Sequence, residues 1–219
     1  MTLLDFARGP ALAVSFAVFT FGVAWRVLFL VLLPWSRDRS VARGSAPSAV
    51  VGAVRGFARH LWPRKAFAGA ARFTTVNGYV MHFGLAIAFF GFAPHILFLQ
   101  SVFGVHWPNL PSGLVSVASV VTLVSLVLAL GHRFASPVLR LISTANDYFS
   151  WFVTALPVVS GLMAVSHLWA PYETLLAVHL LSVALLLIWF PFGKLMHAFL
   201  VFVTRSETAI HYSRRGTVL

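Results

Sequence analysis

Four histidines of this sequence lie in long apolar stretches, two in each of two stretches. His82 and His95 are thirteen residues apart, and His179 and His197 are eighteen apart in the run HLLSVALLLIWFPFGKLMH. An ionisable side chain inside a membrane is costly and usually marks a functional site. Neutral imidazole is a good ligand for iron and other transition metals. These histidines therefore indicate metal ligation, with proton conduction or plain hydrogen bonding between helices as the alternatives.

The spacings predict where the rings point. On one continuous helix, the eighteen residues from His179 to His197 make about five whole turns, so both rings would project from one face, about 27 Å apart. The thirteen residues from His82 to His95 make about 3.6 turns, which puts those rings on nearly opposite faces of a straight helix. We expect Pro94 to bend the helix and to correct part of this difference.

The elements that carry these residues are predicted to be transmembrane helices. Of the 219 residues, 59% are hydrophobic and 10% are charged, and the mean hydropathy is +0.89. Soluble domains carry about 25% charged residues, so we predict an all-α membrane protein with a single domain over residues 1–219. A helical span needs about 20 apolar residues. Five segments qualify: 11–35, 75–100, 112–131, 147–168 and 174–201.

Lys and Arg are distributed unevenly among the connecting segments. Fourteen lie in the loops 36–74 and 132–146 or at the C-terminal end, and Arg8 lies near the N-terminus. Because cytoplasmic loops are enriched in positive residues, the N-terminus is predicted outside and the C-terminus in the cytoplasm. This bias accounts for the net charge of +11 without nucleic acid and favours contact with anionic lipid. Residues 48–61 are predicted to form either an interfacial amphipathic helix or a solvated basic loop.

In this topology the four histidines fall at two depths. His82 and His197 lie toward the cytoplasm, and His95 and His179 lie toward the outside. Two imidazoles from facing helices hold a haem iron from both sides and leave no open position, which suits electron transfer. The histidines therefore predict two b-type haems, an inner one at His82 and His197 and an outer one at His95 and His179. The alternative is a membrane transporter whose histidines conduct protons or a metal ion.

Three further residues are candidate haem contacts. Arg26, a full charge deep in a span, can grip a haem propionate with two hydrogen bonds or snorkel toward the cytoplasm. Gly84 and Gly91 leave room for a flat macrocycle beside the backbone, or serve ordinary close packing of helices. The sequence has no cysteine, which excludes disulfides and thiolate-held iron–sulfur clusters within the chain.

Two stretches resemble the gamma subunit of membrane-bound respiratory nitrate reductase, a cytochrome b. The run that begins at His179 and ends in PFGKLMH is similar to the last helix of that family, in which two haem ligands are also eighteen residues apart. The segment HRFASPVLRLISTANDYFSW, from His132 to Trp151, is similar to the family's third cytoplasmic connection and fourth helix. The resemblance covers most of the chain from Gly78 onward.

The resemblance implies a dihaem cytochrome b of the bacterial cytoplasmic (inner) membrane. Such a subunit takes electrons from quinol and passes them to a cytoplasmic iron–sulfur subunit and a molybdenum-containing catalytic subunit. By position, His82, His179 and His197 match haem ligands, whereas the family's remaining ligand position holds Phe92 and His95 follows three residues later. Superfamily relatives serve heterodisulfide-reductase-like and sulfur-metabolism complexes, so the terminal substrate stays open. We expect two haem b, quinone as exchangeable substrate, and no terminal catalysis by this chain alone.

Overall fold

The computed structural model describes residues 1–33, 41–44, 48–59, 61–63 and 65–216. Over these residues the regular structure is helical without strands, which confirms the all-α prediction. The helices are α1 (Leu3–Leu32), α2 (Ala49–Arg59), α3 (Ala68–Gly91), α4 (Ala93–Phe103), α5 (Ser112–Ala135), α6 (Pro137–Ile142), α7 (Ala145–Ser166), α8 (Tyr172–Trp189) and α9 (His197–Arg214). Short 3₁₀ turns precede α3 and α9, and α1 contains a π-helical turn around Pro10.

Five of the described helices, α1, α3, α5, α7 and α8, are long and apolar enough to cross a membrane. They pack as an open arc. Helix α3 packs against α5, α5 against α7, α7 against α8, and α8 against α1. The two end helices, α1 and α3, are the least buried of the five. Helices α3 and α8, which carry His82 and His179, do not pack extensively against each other.

The second predicted span is divided in the structure. Residues 75–100 were expected to form one bent helix, but α3 ends at Gly91, Phe92 is extended (φ −85°, ψ 126°), and α4 begins at Ala93. Pro94 has no N–H to donate to the carbonyl of Phe90, four residues earlier. That carbonyl instead accepts a hydrogen bond from Trp107 Nε1 (2.7 Å). The break is therefore complete, and it puts His82 and His95 on separate helices.

The fifth predicted span is divided as well. Residues 174–201 were expected to be continuous, but α8 ends at Trp189 and α9 begins only at His197. Pro191 again lacks the N–H that a helix needs, and Gly193 is extended (φ −95°, ψ 179°). The prediction that His179 and His197 project from one face of a single helix was wrong.

Asp147 holds the turn between α8 and α9. Its carboxylate accepts from Lys194 Nζ (2.6 Å) and from Arg133 (3.2 Å) while capping α7 through Thr144 N (2.9 Å). Its side chain is only 6% exposed. Buried carboxylates need such partners, and this one ties the last turn of α5 and the turn before His197 to the start of α7.

Helices α2 and α9 pack side by side outside the arc. Gly52 and Gly56 of α2 are buried, and a Cβ at Gly52 would lie 3.0 Å from Ser213 Oγ. Phe57 stacks on Phe202 with ring centroids 5.5 Å apart. The structure has a helix over Ala49–Arg59, which agrees with the helical alternative and not with the solvated loop, whereas its interfacial position stays a prediction. Within the predicted basic loop 36–74, the residues 36–40, 45–47, 60 and 64 lie outside the described part of the chain.

Candidate functional site: two pairs of facing histidines

His82 and His197 face each other at one end of the arc. His82 projects from the middle of α3, and His197 is the first residue of α9. Their ring centroids are 6.0 Å apart and their planes are nearly perpendicular, at 88°. Both residues are exposed on the open side of the arc. The turn at Gly193 therefore brings His197 close to His82 of α3, which a straight continuation of α8 would not do.

His95 and His179 form a second pair. His95 lies in the first turn of α4, just after the break at Phe92, and His179 lies on α8. Their ring centroids are also 6.0 Å apart, but their planes are nearly parallel, at 17°. Both residues are partly buried. The break re-aims His95 toward α8, which a continuous second span would not have done.

The separation within each pair fits two axial ligands of one metal ion. Metal–imidazole bonds are about 2.0–2.1 Å long and a ring atom lies about 1.1 Å from its ring centre, so two imidazoles on opposite sides of one ion have centroids roughly 6 Å apart. Both observed separations, 6.0 Å, match this value. Binding to one metal ion does not require a particular angle between the two ring planes, so the perpendicular and the parallel pair both fit.

In each of the four rings, Nδ1 is engaged by an oxygen atom. Where that oxygen is a backbone carbonyl, it can only accept, so Nδ1 carries the proton and Nε2 keeps its lone pair. Such a contact also fixes the orientation of a ligating ring and raises its basicity. The contacts are His82 to Gly78 O (2.7 Å), His95 to Ala88 O (3.0 Å), His197 to Lys194 O (2.8 Å) and His179 to Ser160 Oγ (3.2 Å).

The donor set of each pair consists of two imidazoles, which is compatible with a macrocycle-held iron. Among the described residues, no group of three or more His, Asp or Glu side chains comes close enough to hold a metal ion. Each pair supplies two neutral imidazoles, which is the number that a haem iron takes from a protein that closes both axial positions.

A cavity of about 530 Å³ adjoins His197, and His82 is not among its lining residues. His197 lines it together with the cations Arg26, Lys194 and Arg205. The structure thus brings Arg26, a predicted site residue, to the same cavity as His197. The sequence reasoning missed Arg205, which follows His197 by about two helical turns and was assigned to the cytoplasmic end. Lys194 already has an anionic partner in Asp147, so Arg26 and Arg205 are the cations that face this cavity without an ion pair in the described chain.

The two predicted glycines are not brought to the histidine pairs. A Cβ at Gly84 would overlap the Thr122 side chain of α5, and a Cβ at Gly91 would lie 2.8 Å from Leu110 Cδ1. Both glycines therefore serve close packing, which was the second of the two readings of these residues. The glycine beside a histidine is Gly161 of α7, where a Cβ would lie 3.2 Å from His179 Cε1.

The chain is similar to one protein of Nitratidesulfovibrio vulgaris strain Hildenborough. The two are 31% identical over 214 residues, which cover 96% of this chain and 94% of that protein. The name of that protein, "Protein", states no activity. No protein-family profile matches the sequence, and no solved structure is similar to it.

Proposed function

This chain belongs to the same family as the Nitratidesulfovibrio vulgaris protein, and we propose that it is a dihaem cytochrome b of a bacterial cytoplasmic membrane. The observation that carries the proposal is the repeated geometry of the histidines. Two pairs at two positions along the arc have the same 6.0 Å separation. Every ring has an oxygen atom at Nδ1, which leaves Nε2 as the nitrogen available to a metal ion. Hydrogen bonding between neighbouring helices alone would not require this repetition.

His82 and His197 would hold the inner haem, and His95 and His179 the outer haem. Bound haems supply one-electron redox chemistry at two depths of the membrane. The chain's own residues fix where that chemistry occurs. The carbonyl oxygens of Gly78, Ala88 and Lys194 hold three of the rings, and a hydroxyl holds the fourth.

Arg26 and Arg205 are proposed to receive the carboxylates of the inner group. A guanidinium binds a carboxylate with two parallel hydrogen bonds, and a charge at membrane depth needs a counter-charge. Both arginines line the cavity that His197 also lines. Snorkelling of Arg26 remains compatible with this arrangement, because the cavity lies at the end of the arc where the basic segments begin.

The redox partners are proposed from the charge pattern and from the resemblance to the nitrate reductase gamma subunit. Oxidation of one quinol near the outer pair releases two protons to the outside and two electrons that leave toward the cytoplasm. With no cysteine, the chain holds no thiolate-ligated cluster of its own. An iron–sulfur subunit and a catalytic subunit on the basic cytoplasmic face would therefore complete the reaction.

The test is the reduced-minus-oxidised optical spectrum of the chain purified from membranes, with haem extracted and quantified as its pyridine complex. We expect the absorption bands of b-type haem and two haems per chain. A colourless protein would exclude the cytochrome and favour a transporter that uses its membrane histidines for protons or metal ions. Proton release on the cytoplasmic side during quinol oxidation would contradict the proposed direction.

A further inference from the structure

One of the four histidines has a different kind of Nδ1 partner. Three rings contact backbone carbonyls at 2.7–3.0 Å, whereas His179 Nδ1 contacts the hydroxyl of Ser160 at 3.2 Å. Ser160 lies on α7 and is 3% exposed. A second buried hydroxyl, Ser182 of α8, lies 2.9 Å from it. The His95–His179 pair is thus the one supported by side chains that a mutation can change.

Counting protons assigns the direction of these hydrogen bonds. Ser182 Oγ donates to the carbonyl of His179 at 2.6 Å, which uses its single proton. Ser160 Oγ also has one proton, and it is directed to the Leu156 carbonyl at 2.8 Å or to Ser182. The Ser160 oxygen is therefore left to accept from His179 Nδ1–H. His179 then has the same tautomer as the other three histidines, with its Nε2 lone pair available.

We infer that Ser160 is a positioning residue that sets how strongly His179 donates electrons to the iron of the outer haem. The inference rests on the proposed function. A hydroxyl accepts a hydrogen bond more weakly than a carbonyl, and this contact is also the longest of the four. The Nδ1–H bond is polarised less, the imidazole is less electron-rich, and the oxidised iron is stabilised less. Ser160 thereby holds the outer site at a higher potential than a carbonyl partner would.

The surroundings allow this contact to be changed without rebuilding the site. Gly161, the next residue of α7, lets the His179 ring lie against the helix backbone. Ser160 is small, and its replacement by alanine adds no atoms to the packed interface of α7 and α8.

The experiment is a redox titration of the purified haem-loaded chain with Ser160→Ala and Ser160→Asn. Alanine removes the acceptor and should raise the midpoint potential of one haem. Asparagine supplies an amide carbonyl and should lower the potential of that same haem. The other haem should be unchanged in both variants. The affected haem is assigned as the one that is lost in His179→Ala.

Two controls keep the result interpretable. Ser160→Thr keeps the hydroxyl and should keep both potentials. Ser150→Ala removes another buried hydroxyl of α7, one that accepts from Trp189 Nε1 (3.0 Å) rather than from a histidine, and should also leave both potentials unchanged. Two haems with any pattern other than opposite shifts of the same haem would overturn the role of Ser160. A chain that binds no haem would instead overturn the proposed function, so the two failures are distinguishable.

Discussion

Replacing Asp147 by asparagine should destabilise the protein measurably, because this carboxylate has four hydrogen-bonding contacts. Lys194, Arg133 and two groups of Thr144 donate to it at 2.6–3.2 Å. Asparagine keeps the shape and one acceptor oxygen but removes the charge. Hydrogen bonds to charged groups contribute about 1.5–3 kcal/mol and neutral ones about 1 kcal/mol. Since the Lys194 and Arg133 side chains are 54% and 31% exposed, water offsets part of the loss.

These terms give a loss of about 2 kcal/mol for Asp147→Asn, which is below the ~3–5 kcal/mol of a broken buried ion pair because both cations are partly exposed. For a domain of this size, that corresponds to a thermal midpoint about 4–8 °C lower. The midpoint is measured by circular dichroism of the chain in detergent. Asp5→Asn is the matched control, since Asp5 forms the same capping box with Thr2 but is exposed and has no ion pair in the described chain. An unchanged midpoint for Asp147→Asn, or an equal fall in the control, would refute this reasoning.

Three other consequences of the structure can be tested. Trp107→Phe removes the hydrogen-bond donor to the Phe90 carbonyl (2.7 Å). It should lower the free energy of unfolding by about 1–2 kcal/mol and lower the thermal midpoint. The control variant Trp62→Phe, at an exposed ring, should leave the thermal midpoint unchanged. Arg26→Gln and Arg205→Gln each remove a positive charge from the cavity beside His197. The midpoint potential of the inner haem should therefore fall in a redox titration, and that of the outer haem should stay unchanged. The control variant Arg8→Gln should leave both midpoint potentials unchanged. The ring planes of the two pairs meet at 88° and 17°, so the oxidised chain should give two distinct low-spin electron paramagnetic resonance signals. The more anisotropic signal should come from the perpendicular pair. Two identical signals would contradict the geometry.

The presence of five helices that could span a membrane, and the pairing of the histidines, could be predicted from the sequence. Apolar runs of about 20 residues define spans regardless of their neighbours. The position of each histidine along its apolar run was enough to match His82 with His197 and His95 with His179, because two ligands of one metal ion must lie at the same depth of the membrane. Neither inference depends on contacts between distant segments.

The two helix breaks could not be predicted in the same way. A proline inside an apolar run is compatible with either a kink or a break, and the sequence around Pro94 does not distinguish them. The outcome depends on a distant group, since Trp107 supplies the hydrogen bond that the Phe90 carbonyl would otherwise lack. At the other break, Asn146 Oδ1 accepts from the Lys194 N–H (3.0 Å) from 48 residues away.

The residues that support the histidines could not be predicted from the sequence for a similar reason. A glycine is recognisable as small, but the direction in which its missing side chain would point requires the packed helices. Gly84 and Gly91 turn toward Thr122 and Leu110, whereas Gly161 turns toward His179. Ser160 gave a weak signal, as a buried hydroxyl in a span, and nothing in the sequence connected it to a ring nineteen residues away.

The most direct test of the central claim is the molar ratio of haem b to protein in five purified chains. We expect two haems in the wild type, one in His197→Ala, one in His179→Ala and none in the double variant. His132→Ala, a histidine outside both pairs, should keep two haems. A wild-type ratio of two that falls stepwise in this way would support one haem at each pair. A wild-type chain without haem, or single variants that keep both haems, would contradict it.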